Sequence, residues 1–290
     1  MQLNRKLLTS SVKSRYITQK TAVVILAIST LLVIIPIIAI IVYMIANGYG
    51  ALSWEFLTSF PSQAGKAGGI LPAILGTVLL MLGTILLALP VGVMAGIYLS
   101  EYTRASWITR LINMAIINLA GVPSVVFGLF GLAVFVLGLN LGMSLLAASL
   151  TLAMQALAMT ITTSREAITA VPKEYREASL AIGASKWQTI RHVVLPQASP
   201  RIITGAILAM SRAAGETAPI IVVGAAFFTG GLPGSPFDRF MALPYHLYTV
   251  SAHVPGMPEE IKWGVALVLV GMVLFFNILA GIVRVKARKR

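Results

Sequence analysis

The sequence predicts an all-α integral membrane protein with about six transmembrane helices. Three observations carry that prediction. Of 290 residues, 58% are hydrophobic and only 11% are charged, whereas a soluble domain carries about 25% charged residues. Six apolar runs each reach the roughly 20 residues that a helix needs to cross a bilayer. Lysines and arginines crowd alternate connections between those runs, the positive-inside pattern. The net charge of +13 therefore reports topology and does not point to nucleic acid. The absence of cysteine excludes disulfides, thiolate metal sites and cysteine catalysis.

The chain opens on a polar arm with Arg5, Lys6, Lys13, Arg15 and Lys20. The apolar run Thr21–Ala46 follows. A cleaved signal peptide needs an apolar region of about 7–15 residues and a small-residue cleavage site. This run is longer and shows no such site, so it reads as an uncleaved first helix. Further spans are expected at Ile70–Ser100, Leu111–Leu139, Met143–Thr163, Ile202–Phe228 and Trp263–Val285. Gly121-Val122-Pro123 interrupts the third, because a residue before proline avoids helical dihedrals, and a break or re-entrant start is expected near Pro123. Pro90 should kink the second span. Gly92/Gly96 and Gly138/Gly142 have the spacing that lets membrane helices approach closely.

Basic residues set the orientation. The N-terminal arm, the 101–110 loop, the 164–201 loop and the tail hold most of them. Both termini and the 164–201 loop are therefore expected in the cytoplasm. The outside segments are then Asn47–Gly69 and Thr229–Lys262. The second holds five prolines and reads as an ordered, turn-rich cap. Trp54 and Trp263 suit the outer interface and Trp107 the inner one. The expected organisation is an arm, first helix and outer loop over 1–65, a transmembrane core over 66–285, and a basic tail over 286–290. The lipid bilayer is the surrounding partner.

Hydrolytic chemistry is poorly supplied. There is no GxxxxGK[ST] phosphate loop and no HExxH pair, and Asp238 is the only aspartate. The three histidines read as surface or loop residues. A binding residue stands out instead. Arg212 lies about 10 residues into the fifth expected span, or about 15 Å at 1.5 Å per residue, close to the bilayer midplane. A buried arginine there is costly, so it faces a cavity or a partner. Glu216, four residues on, shares its helical face. One reading is a structural ion pair that holds helices together. The other is an anion path, because a guanidinium fork matches carboxylate or phosphate oxygens. Glu216 would then orient the arginine or accept a hydrogen bond from a protonated oxyanion.

The polar stretch Arg176–Pro196 lies between two apolar runs and reads as two short helices joined by a turn at Gly183. Composition alone would also allow an amphipathic helix on anionic lipid. Its pattern, Glu177-Ala178-Ser179, then Gly183 four residues later, then Val193-Val194-Leu195-Pro196, resembles the EAA loop of ABC importer permeases. Ser179 stands where that family has its second alanine, and Val193 where it has isoleucine. Residues 88–92, 96–102, 121–128 and 212–219, with Leu243-Pro244-Tyr245, resemble the phosphate-specific permeases, in their A-type subunit.

That resemblance implies a type I ABC importer permease fold and a transport subunit that is not an enzyme. It implies a second permease as heterodimer partner, an ATPase dimer and an extracytoplasmic phosphate-binding protein. ATP and Mg would belong to the ATPase, and this chain would bind no cofactor. Glu177, Ala178, Gly183, Trp187, Leu195 and Pro196 would couple to the ATPase, with Ile182 adding apolar contact. Arg212, Glu216, Thr217, Pro123 and Ser124 would line the substrate path. Two other readings stay open: a permease for another oxyanion such as sulfate or molybdate, and an ion-coupled secondary transporter.

Overall fold

The computed structural model describes residues 2–288, with side chains over 16–282 and at 285. The basic residues Arg5, Lys6, Lys13, Arg15, Arg284, Lys286 and Arg288 therefore lie outside the described side chains, and Lys289 and Arg290 outside the described residues.

The chain is helical almost throughout. Helix α1 (Gln2–Gly48) leads through a short turn to α2 (Trp54–Thr58), capped by the Ser53 hydroxyl on the Phe56 amide. A two-residue hairpin pairs β1 (Pro61–Ser62) with β2 (Ala67–Gly68). Then come α3 (Leu71–Ile97), α4 (Trp107–Ala120), α5 (Ser124–Gly131), α6 (Leu145–Thr169), α7 (Lys173–Ala181) and α8 (Lys186–Thr189). The chain closes with α9 (Leu195–Gly215), α10 (Ala218–Val223), α11 (Leu243–Ala252) and α12 (Glu259–Arg288). Five stretches are long and apolar enough to cross a membrane, or six if the bent α4–α5 pair counts as one.

Helix α1 is exposed on nearly every side over its described residues, as expected for a helix in lipid. It leans chiefly on α12, where Tyr43 meets Trp263 edge to face at 5.1 Å. Trp263 therefore joins two helices, while Trp54 and Trp107 are left exposed. The centre of the bundle is the α3–α6 pair. A Cβ on Gly92 would lie 2.5 Å from Thr160 Cγ2, and one on Gly96 2.8 Å from Ser164 Cβ, so the glycines set this close approach. Gly138 and Gly142 do not act that way. Gly138 ends a π-helical stretch after α5, and Gly142 sits in a turn at φ +66° with open space around it.

Two expected spans break, both at proline. The third splits into α4 and α5, bent by 102° across Gly121-Val122-Pro123. The fifth was expected to run to Phe228, but α9 stops at Gly215. Pro219 has no N–H to donate to the Gly215 carbonyl, and Glu216 turns extended. The two short helices that follow these breaks pack on each other, with Gly128 of α5 against Pro219 of α10. By contrast, α3 runs through Pro90 to Ile97 before a π-helical turn at Tyr98–Tyr102.

Three apolar clusters are strung along α3. At one end Ile70 and Ala73 pack with Phe56, Met241, Leu243, Val250 and Val265. In the middle Leu80 meets Ala147, Leu152, Ala213, Ile220 and Phe240. At the other end Ile97 packs with Ile168, Ile190, Val194 and Ile202. The proline-rich segment is more than a surface cap, because Phe240–Leu243 is fully buried and the Leu243 amide donates to Thr77 Oγ1 at 2.8 Å. His246 in α11 is also buried, 1% exposed and stacked on Phe227, contrary to the expectation of a surface histidine. Burial pushes its imidazole down to about 4.

Candidate functional site

Arg212 sits in the last turn of α9, and Glu216 is the extended residue that ends the helix. Arg212 Nε donates to Glu216 Oε1 at 3.3 Å. The same oxygen accepts from Gln155 Nε2 of α6 at 2.7 Å. Gln155 lies 10 residues from the start of α6 and 14 from its end, or about 15 and 21 Å along the axis. The Glu216 carboxylate is therefore level with the middle of α6. Arg212, bonded to that carboxylate, lies at the same level along α6, and its helix ends just beyond.

The two charges differ in exposure. The Glu216 side chain is 15% exposed and the Arg212 side chain 57%. A guanidinium has five N–H donors. Four of those on Arg212 have no protein partner among the described residues. Arg212 and Glu216 line a small cleft of about 20 Å³ with Leu152, Gln155, Ala156, Met159, Ala209 and Ala213. That volume holds about one water. The chain thus presents a half-exposed cation beside this cleft.

The structure brings Arg212 and Glu216 together and adds Gln155. It does not place the other predicted path residues in this cleft. Thr217 bonds locally, its hydroxyl 3.5 Å from the Gly215 carbonyl. Pro123 and Ser124 open α5 and are absent from the cleft lining. Sequence reasoning missed Gln155, although it is the lone amide in an otherwise apolar run, a costly residue unless partnered. Asn277, another lone amide, meets Ser211 and ties α12 to α9.

The second predicted region is a helical hairpin, α7 and α8. Gly183 turns it at φ +86°, with open space around its Cα. Ser185 and Gln188 form a reciprocal capping box at the start of α8. Ser179 is buried, and its hydroxyl lies 2.9 Å from Thr189 Oγ1, so a hydroxyl at this position cross-links the two helices. Glu177, Ala178, Ile182 and Trp187 are all exposed. Glu177 borders a groove of about 340 Å³ with Ser100, Glu101, Thr169, Lys173 and Arg176. Leu195 and Pro196 begin α9, with Leu195 packed on the adjoining cluster and Pro196 in the first turn, where its missing N–H costs nothing.

A membrane helix that breaks just past a half-exposed arginine, with a polar hairpin between two spans, suits a membrane-embedded transport subunit. The chain is a member of the family described as the binding-protein-dependent transport system inner membrane component, which matches residues 88–289. It is accordingly a multi-pass inner membrane protein and an ABC importer permease subunit, not an enzyme. It is 33% identical to the probable ABC transporter permease protein YqgI of Bacillus subtilis, over 92% of this chain and 95% of that one. It is 31% identical to the phosphate transport system permease protein PstA 1 of Mycobacterium tuberculosis, over 90% and 87%. A chain of a bacterial alginate ABC transporter, solved with an alginate-bound periplasmic protein, has the same fold. It matches at a TM-score of 0.64 and 14% identity, over 88% of this chain and 92% of that one.

Proposed function

We propose that this chain forms half of the transmembrane path of an ATP-driven inorganic phosphate importer. The observation that carries the reading is Arg212, a half-exposed guanidinium at mid-depth with four free donors. A cation placed there without a use is costly. A tetrahedral oxyanion would accept from its planar fork. Glu216, fixed by Gln155, holds the guanidinium and offers an acceptor to a protonated phosphate oxygen. The relatives named as phosphate permeases support the choice among oxyanions.

In this reading the path is completed by a second permease, because the cleft on this chain alone is too small for the anion. Thr217, Pro123 and Ser124 would join it only through that partner or another conformation. The hairpin end and both termini face the cytoplasm. There the exposed Glu177, Ala178, Ile182 and Trp187 contact an ATPase dimer that carries ATP and Mg. Gly183, Leu195 and Pro196 shape and seat the hairpin. An external phosphate-binding protein delivers substrate to the opposite face.

Uptake of labelled phosphate into proteoliposomes holding the whole complex tests this. Phosphate uptake that depends on internal ATP, and that excess sulfate or molybdate leaves intact, is the expected result. Competition by sulfate or molybdate would assign a different oxyanion. Uptake that survives without ATP and follows an imposed ion gradient would instead indicate a secondary transporter.

A further inference from the structure

The hairpin is tied to the bundle at the π-helical turn Tyr98–Tyr102 at the end of α3. Both of its helices make the tie. From α7, Arg176 Nε and Nη2 donate to Glu101 Oε1 at 3.1 and 2.8 Å. From α8, Lys186 Nζ lies 4.7 Å from the centroid of the Tyr102 ring, a cation–π contact. The Arg176 and Glu101 side chains are only 19% and 11% exposed, so solvent weakens their attraction little. The remaining Arg176 donors cap the end of α6, on the Ile168 carbonyl at 2.8 Å and the Val171 carbonyl at 2.6 Å.

Helix α3 in turn reaches the far side of the molecule. Its Gly92 and Gly96 lock it to α6, and its first turns hold the buried Phe240–Leu243 segment through the Thr77–Leu243 bond. A displacement of the hairpin is therefore passed to a rigid pair of helices that ends under the opposite cap.

We propose that Glu101 and Arg176, with Lys186 and Tyr102 beside them, are positioning residues that transmit movement of the hairpin to α3. The proposal rests on the reading of the hairpin as the ATPase contact. Residues Glu177 and Trp187 receive the partner on the exposed side; Glu101 and Arg176 pass its motion on from the inner side. A capping role alone would need Arg176 and its carbonyl acceptors but not Glu101. Removing Glu101 separates the two roles, because the caps on α6 survive.

The test uses the complete complex, with ATPase and binding protein, in proteoliposomes. ATPase co-purification, ATP hydrolysis and phosphate uptake are measured for wild type, Glu101→Ala, Glu101→Asp and Lys186→Met. Glu101→Ala is expected to retain the ATPase and its hydrolysis while phosphate moved per ATP falls about fivefold to tenfold, the range for loss of a coupling contact. Glu101→Asp should recover part of that ratio, and Lys186→Met should lower it about twofold. An unchanged ratio in Glu101→Ala would overturn the proposal. So would loss of the ATPase from that variant, since the pair would then serve docking. A wild-type chain that purifies with no ATPase would instead defeat the reading of the hairpin, and is told apart by that control.

Discussion

Two arginines, Arg212 in the middle of the membrane bundle and Arg176 in the hairpin, carry the same chemistry to opposite ends. Arg176 spends every N–H: two on Glu101 and three on the carbonyls of Ile168, Val171 and Pro172. Arg212 spends one, on Glu216, at 3.3 Å. A saturated guanidinium holds structure together. An unsaturated one, kept in a place where its charge is costly, has donors left for a ligand. The difference between these residues is in their partners, and neither the residue type nor local composition announces it.

Truncating each arginine is the widest test of that contrast. Arg176→Ala leaves Glu101 and the α6 carbonyls unpaired and is expected to cost about 3 kcal/mol of stability. Arg212→Ala removes one long bond and leaves Glu216 still held by Gln155, so it is expected to cost about 1 kcal/mol, well short of Arg176→Ala. Thermal unfolding of the purified complex distinguishes them, and equal losses would break the comparison. Gln155→Leu sharpens the Arg212 side. It frees the Glu216 carboxylate from α6 and should lower phosphate uptake about tenfold with assembly intact. Normal uptake in that variant would remove Gln155 from the site. A further, local effect belongs to the hairpin turn. Gly183→Ala places a Cβ on a left-handed residue and should cost about 1 kcal/mol, read as weaker ATPase retention in a detergent wash.

The fold was readable where long apolar runs do the work. The first, second, fourth and last spans are helices, and Gly92/Gly96 face α6. The hairpin was readable because Gly183, Ser185 and Gln188 act locally. Most of what escaped was set by contacts distant in sequence, and the end of α9 is the local exception. The end of α9 at Gly215 follows from Pro219, whose effect a hydropathy run through Phe228 conceals. The link between Glu101 and Arg176 spans 75 residues. Gln155 meets Glu216 across 61. Burial of His246 depends on α11 folding under Phe227, which no single segment encodes.

In the proposed path, Arg212 presents its free donors to the transported anion. The direct measurement is phosphate uptake into proteoliposomes by the full complex carrying Arg212→Ala, with ATP inside and the binding protein outside. Uptake should fall at least about 100-fold, as for loss of a preorganised charge partner, while the ATPase still co-purifies and still hydrolyses ATP. Uptake at the wild-type rate would show that the guanidinium is no part of the path.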